Sequence, residues 1–191
     1  MYAEAMTVLD TPEERQTVFP VSVEFYHEAG RLGMIGENVE LLDGVIFKKI
    51  PKSPLHEWFV ACLRRLLEAA CSPGMFVEKE RPITCRSSEP EPDLAVFAGD
   101  WTDFRLKHPT TAELVIEIAI NTQQRDRSKA GIYAEAGVKE YWLVEPEAGV
   151  ISLYTEPDCA AYTKCRSFES RDLVTSTVIP AFSVTLADLM K

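Results

Sequence analysis

Residues 112–120 read AELVIEIAI, a nearly unbroken apolar run with a threonine pair before it and Asn121-Thr122 after it. A short run of this kind is how a central strand covered on both faces looks. Two glutamates interrupt it. Side chains alternate across a strand, so Glu113, Val115, Glu117 and Ala119 share one face. Glu113 lies near the strand start, within reach of water, and Glu117 lies deeper. Burying an ionised carboxylate is costly unless a cation or several donors compensate it. Glu117 therefore needs a partner, either at a metal site or in a buried ion pair with a lysine or arginine.

The flanking segments offer candidates. Upstream, a polar, proline-interrupted loop (RSSEPEP) leads into residues 92–97 (PDLAVF), a short apolar strand that Asp93 begins directly after a proline. If the two strands are neighbours, the carboxylates of Asp93 and Glu117 can converge on one hard, oxygen-seeking cation, Mg²⁺ or Mn²⁺. Otherwise Asp93 is a strand-end aspartate satisfied by backbone amides. Downstream, residues 126–136 read as a short helix ended by Gly137. Lys129 lies on it, with Tyr133 four residues further along the same face. A helix packed back over the strand could aim that ammonium at the two carboxylates. The competing reading puts Lys129 on a solvated face, paired with Glu135 or Asp126. A metal that polarises a phosphoryl group and acidifies a water, with a cation close by, is what phosphodiester hydrolysis requires. Arg125 and Arg127 read equally well as phosphate contacts or as a solvated helix start.

The rest of the chain suggests one α/β (α+β) domain over residues 21–191, after a loosely ordered segment 1–20. Ser22 caps a helix through Phe25, Tyr26, Ala29 and Leu32, which the glycines at 30, 33 and 36 end. Residues 39–50 (VELLDGVIFKKI) carry Asp43-Gly44 between apolar runs, a strong hairpin signal. Ser53-Pro54 opens a helix of about four turns on which Trp58, Phe59, Cys62, Leu63, Leu66, Leu67 and Ala70 recur at helical spacing. Residues 75–86 alternate loosely, as a strand would. Residues 140–144, 150–154 and 160–165 read as an antiparallel meander turning at Pro146 and Pro157, and residues 186–190 as a terminal helix.

Composition narrows the function classes. With 46% hydrophobic and 26% charged residues in 191, the chain has the make-up of an ordinary globular protein. No run approaches a membrane span, and the acidic start is unlike a secretory signal, so a cytoplasmic location is expected. Five scattered cysteines without a C-x-x-C pair suggest neither a disulfide framework nor a zinc knuckle. Thirty acidic against twenty basic side chains give a net charge of −10, which repels phosphate backbones at long range and argues against a general nucleic-acid binder. It leaves room for a nuclease whose acidic cluster is neutralised by a divalent cation.

Pro92-Asp93, Glu117 on its apolar strand, Asp126-Arg127 followed by Lys129, and the long run YAEAGVKEYWLVEP (133–146) together resemble the Uma-type endonuclease family of the PD-(D/E)XK superfamily. VELLDG (39–44), His56 and the tail IPAFSVTLADL (179–189) extend the likeness over most of the chain. The resemblance implies a restriction endonuclease-like mixed sheet flanked by helices. It implies Asp93 and Glu117 as metal ligands, Lys129 as the catalytic cation, Glu40 and His56 as further members of the site, and DNA as substrate. Enzymes of the superfamily that cut both strands often work as homodimers, for which residues 140–165 offer an apolar surface. One departure stands out: the superfamily's E-x-K lysine would fall at position 119, which is alanine. The resemblance places that function on Lys129. Ala119 and the acidic balance also motivate a different class, a non-catalytic binding or assembly protein on a nuclease-like scaffold.

Overall fold

The computed structural model describes residues 17–120 and 122–191; the segment expected to be loosely ordered lies largely outside them. In chain order come α1 (Val23–Arg31), β1 (Val39–Leu42), β2 (Val45–Lys48), α2 (Pro54–Ala70), β3 (Met75–Glu78), β4 (Leu94–Ala98), a 3₁₀ turn (Trp101–Phe104) and β5 (Leu114–Ile118). Then follow α3 (Gln123–Glu135), β6 (Glu140–Glu145), β7 (Val150–Asp158), β8 (Ala161–Glu169), β9 (Val174–Thr175), β10 (Ser183–Val184) and α4 (Leu186–Leu189).

β3 to β8 form one six-stranded sheet in sequence order. All neighbours are antiparallel except β5 and β6, which run parallel because α3 carries the chain back between them. The sheet is the mixed, helix-flanked one anticipated from the sequence. β5 is central, and all its residues are buried. Its alternation divides the core in two. Leu114, Ile116 and Ile118 join Phe59, Leu63 and Leu67 of α2 on one face. Val115 and Ala119 join Tyr133 of α3 and Tyr141 of β6 on the other.

Local chemistry sets the element ends. Ser22 accepts from the Phe25 amide and Ser53 from the His56 amide, so both helices begin where their caps stand. Asp43 and Gly44 take positive φ (48° and 74°), closing the β1–β2 turn. Gly44 is also a close approach: a Cβ there would lie 2.5 Å from that of Pro20.

Four sequence expectations need correction. Gly30 lies inside α1, and the chain leaves the helix at Leu32, before Gly33 at φ +68°. The strand expected over residues 75–86 stops at Glu78, because Glu80 turns to φ +54° and the following segment makes only scattered loop hydrogen bonds. α3 begins at Gln123, three residues earlier than expected. Pro157 lies within β7, opposite Tyr162, and the turn falls after it, where Cys159 has φ +52°. A proline fits there because the pairing of β7 with β6 ends at Thr155, so no ladder continues on that flank.

Candidate active site

Leu94 pairs with Ile116 in the antiparallel β4–β5 register, which sets Asp93 beside Glu117 and Ile118 at one end of both strands. The Ile118 amide donates to Asp93 Oδ2 (2.8 Å), and the Asp93 amide donates to Glu117 Oε2 (3.2 Å). α3 crosses the same face. From it Lys129 Nζ reaches Glu117 Oε1 (3.0 Å), and the Tyr133 hydroxyl donates to that same oxygen (2.8 Å). Lys129 also meets Glu40 Oε2 of β1 (3.0 Å) and Asp126 Oδ1 (3.5 Å). From the start of α2, His56 Nε2 stands 3.0 Å from Asp93 Oδ2, and Lys52 Nζ lies 2.8 Å from Asp93 Oδ1 while also pairing with Glu80.

Asp93, Glu117, Lys129, Glu40 and His56 thus converge on one buried cluster. Of the competing readings, Glu117 does take a lysine partner and Asp93 a backbone amide, but within a shared cavity. Lys129 is buried, and Glu135 pairs with Arg86 instead. Arg127 is taken by Glu145, whereas Arg125 lies over Phe47, donates to the Lys48 carbonyl and lines the cavity. Ala119 sits fully buried in the apolar cluster that includes Tyr133, and Lys129 delivers an ammonium to Glu117 from the helix above.

Of three further participants, the sequence reading names two without assigning them to the site and misses the third. Asp126 and Tyr133 read as neighbours of Lys129, since they stand three residues before and four after it on one helix. Lys52 is missed because it reaches Asp93 from a loop that no periodicity describes.

The electrostatics follow from burial. Burial pushes the Glu117 carboxyl up to about 8; Lys129 opposes this, while Asp93, Asp126 and Glu40 add to it. Burial also disfavours the charge on Lys129, but its three carboxylate neighbours outweigh that and hold its ammonium firmly protonated. The two shifts differ because Lys129 has three counter-charges and Glu117 has one. Burial works against ionising Asp93 too, yet the His56 hydrogen bond and the Lys52 charge hold it down at about 2.

The cluster opens into a cavity of about 100 Å³. Six carboxylates (Glu40, Glu80, Glu91, Asp93, Glu117, Asp126) line it against four cations (Lys49, Lys52, Arg125, Lys129), so acidic side chains outnumber basic ones there. That excess, with oxygen donors throughout, suits one hard divalent cation. Buried His56 Nδ1 has no hydrogen-bond partner among the described residues. Also among those residues, no three His, Cys, Asp or Glu side chains stand as a ready ligand set, since lysines and His56 hold the carboxylate oxygens.

The family described as Uma2, "Putative restriction endonuclease", matches residues 32–187. The chain belongs to that family. The Uma2 fold seen here is shared with a solved structure from Anabaena variabilis ATCC 29413, described as a putative nuclease belonging to DUF820. That protein is 16% identical, with a TM-score of 0.74 over 89% of this chain and 97% of its own. No curated protein matches this Uma2 chain. No helix among its described residues is long and apolar enough to cross a membrane.

Proposed function

We propose that this Uma2 protein is a Mg²⁺- or Mn²⁺-dependent endonuclease that hydrolyses DNA phosphodiester bonds. The observation that carries the reading is the convergence of Asp93, Glu117 and Lys129 on a cavity where acidic side chains outnumber basic ones. Asp93 and Glu117 are the residues to hold the cation. A divalent ion there supplies Lewis-acid polarisation of the phosphoryl group and a more acidic water. Lys129 keeps Glu117 and Glu40 close without collapse of the acidic cluster, and His56 orients the Asp93 carboxylate.

DNA must approach a molecule of net charge −10. A groove adjoining the cavity, with Glu80 and Glu91 common to both, offers an approach. Its acids are largely spent: Glu80 on Lys52, Glu91 on Lys49, and Glu89 on His27 and Thr84. Arg105 and Lys107 line it, and neither has a carboxylate partner among the described residues. Free cations beside an apolar, exposed Leu106 suit a nucleic-acid backbone.

One observation favours a second reading, a non-catalytic scaffold: the Lys129–Glu117 and Lys52–Asp93 pairs already satisfy the carboxylates. Calorimetric titration of Mg²⁺ and Mn²⁺ into wild type and Asp93→Asn separates the two. Saturable binding that Asp93→Asn abolishes is expected of the nuclease. Absence of binding to wild type would favour the scaffold. Turnover of a small phosphate ester but not of DNA would redirect the reading to another hydrolase.

A further inference from the structure

We infer that Lys52, and not Lys129, is the cation that contacts the scissile phosphate; the inference rests on the nuclease reading above. An ammonium has three N–H donors and accepts nothing. Lys129 Nζ has three carboxylate neighbours, Glu117 and Glu40 at 3.0 Å and Asp126 at 3.5 Å, and its side chain is 5% exposed. Carboxylates enclose its ammonium, and although it borders the cavity its side chain is almost wholly buried. Lys52 has two carboxylate partners, Asp93 and Glu80, and its side chain is 26% exposed. One donor is therefore left over, on a side chain that lines the cavity beside the proposed ligand Asp93.

The backbone around Lys52 is held in place. Pro51 precedes it, and Ser53, which caps α2, follows it. Position 119, an alanine, brings no ammonium to Asp93 and Glu117, and Lys49, which also lines the cavity, pairs with Glu91 and not with either of them. The loop before α2 supplies one from the cavity's open side.

In hydrolysis a water oxygen bonds to phosphorus as the bond to the leaving sugar oxygen breaks. The water loses a proton, and the leaving oxygen gains one. Lys52 donates a hydrogen bond to a non-bridging oxygen as charge grows on it, and keeps its own proton throughout. Lys129 is then a positioning residue that acts through Glu117 and Glu40.

Two readouts test this on the full chain: plasmid cleavage in Mg²⁺, and binding of a fluorescein-labelled DNA duplex as a function of salt with Ca²⁺ present. Lys52→Met is expected to slow cleavage by about 10²-fold or more, the effect of removing one donor to a developing charge. It should also lower the slope of log affinity against log salt by about 0.9, the signature of one phosphate no longer neutralised, and Lys52→Arg should restore much of both. Lys129→Met should lose cleavage but keep the wild-type salt slope. Cleavage and slope both unchanged in Lys52→Met would overturn the inference while leaving the nuclease intact. Wild type that binds duplex but cuts nothing would sink the nuclease reading and with it the scissile-phosphate role, whereas a slope lowered in Lys52→Met would still show that Lys52 touches the backbone. Wild type that neither binds nor cuts would overturn both.

Discussion

Lys129 stands between Glu117, Glu40 and Asp126, and its replacement by methionine would leave three buried carboxylates with no ammonium between them. Removing one partner of a buried pair costs about 3–5 kcal/mol, so Lys129→Met should melt well below wild type in chelator. The acids also give stability a pH dependence that can be assigned. Glu117 titrates near 8 in the fold against an ordinary 4.5, so its contribution is fully present below 4.5 and is lost as pH rises through about 8. Asp93, held near 2 against an ordinary 3.8, contributes above 3.8 and loses that as pH falls through about 2. Melting curves of the metal-free protein between pH 5 and pH 9 should therefore decline for wild type and flatten for Glu117→Gln; equal slopes would count against a buried, proton-retaining Glu117. At this scale Glu117 was legible in the sequence because a carboxylate within AELVIEIAI demands a partner. Lys52 was hidden because its meeting with Asp93 spans 41 residues of sequence and lies on no repeat.

Elements carry these side chains to the site, and their ends are where substitution should tell. Ser53 accepts from the His56 amide at the start of α2, so Ser53→Ala should cost about 1 kcal/mol and loosen the imidazole that holds Asp93. A fall in melting temperature without any loss of metal affinity would show that the cap matters to the helix alone. Gly44→Ala meets both a positive φ and the Pro20 side chain, and should cost about 2 kcal/mol by the left-handed penalty and the steric displacement of Pro20 together. The hairpin carries Glu40, so chemical denaturation and activity should fall together. Strong local signals match the structure: the Asp-Gly turn, the Ser-Pro helix start and the apolar central strand. The strand expected over residues 75–86 ends early because loose alternation does not distinguish a ladder from an extended loop, and only the sheet decides where pairing stops.

The whole molecule must bring a polyanion to an acidic protein. The groove beside the cavity places Arg105 and Lys107 where no carboxylate among the described residues neutralises them. Replacing both with alanine should lower the salt slope of DNA binding by about 0.9 for each phosphate that the pair neutralises in wild type, while metal affinity at the cavity stays as it was. An unchanged slope would move the DNA path elsewhere. The overall architecture was legible because the longer helices and strands signalled their own type and the family motifs spanned most of the chain, whereas the two-residue strands β9 and β10 gave no signal. The groove was not, since net charge averages over a surface and conceals where its cations are free. The most direct test of the proposed chemistry is the nicking of supercoiled DNA, with single-stranded DNA alongside, by wild type, Glu117→Ala and Lys129→Ala in Mg²⁺, in Mn²⁺ and in chelator. Cleavage that needs the metal and disappears in both variants is the expected result; a wild-type protein that leaves every substrate intact in both metals would contradict the claim.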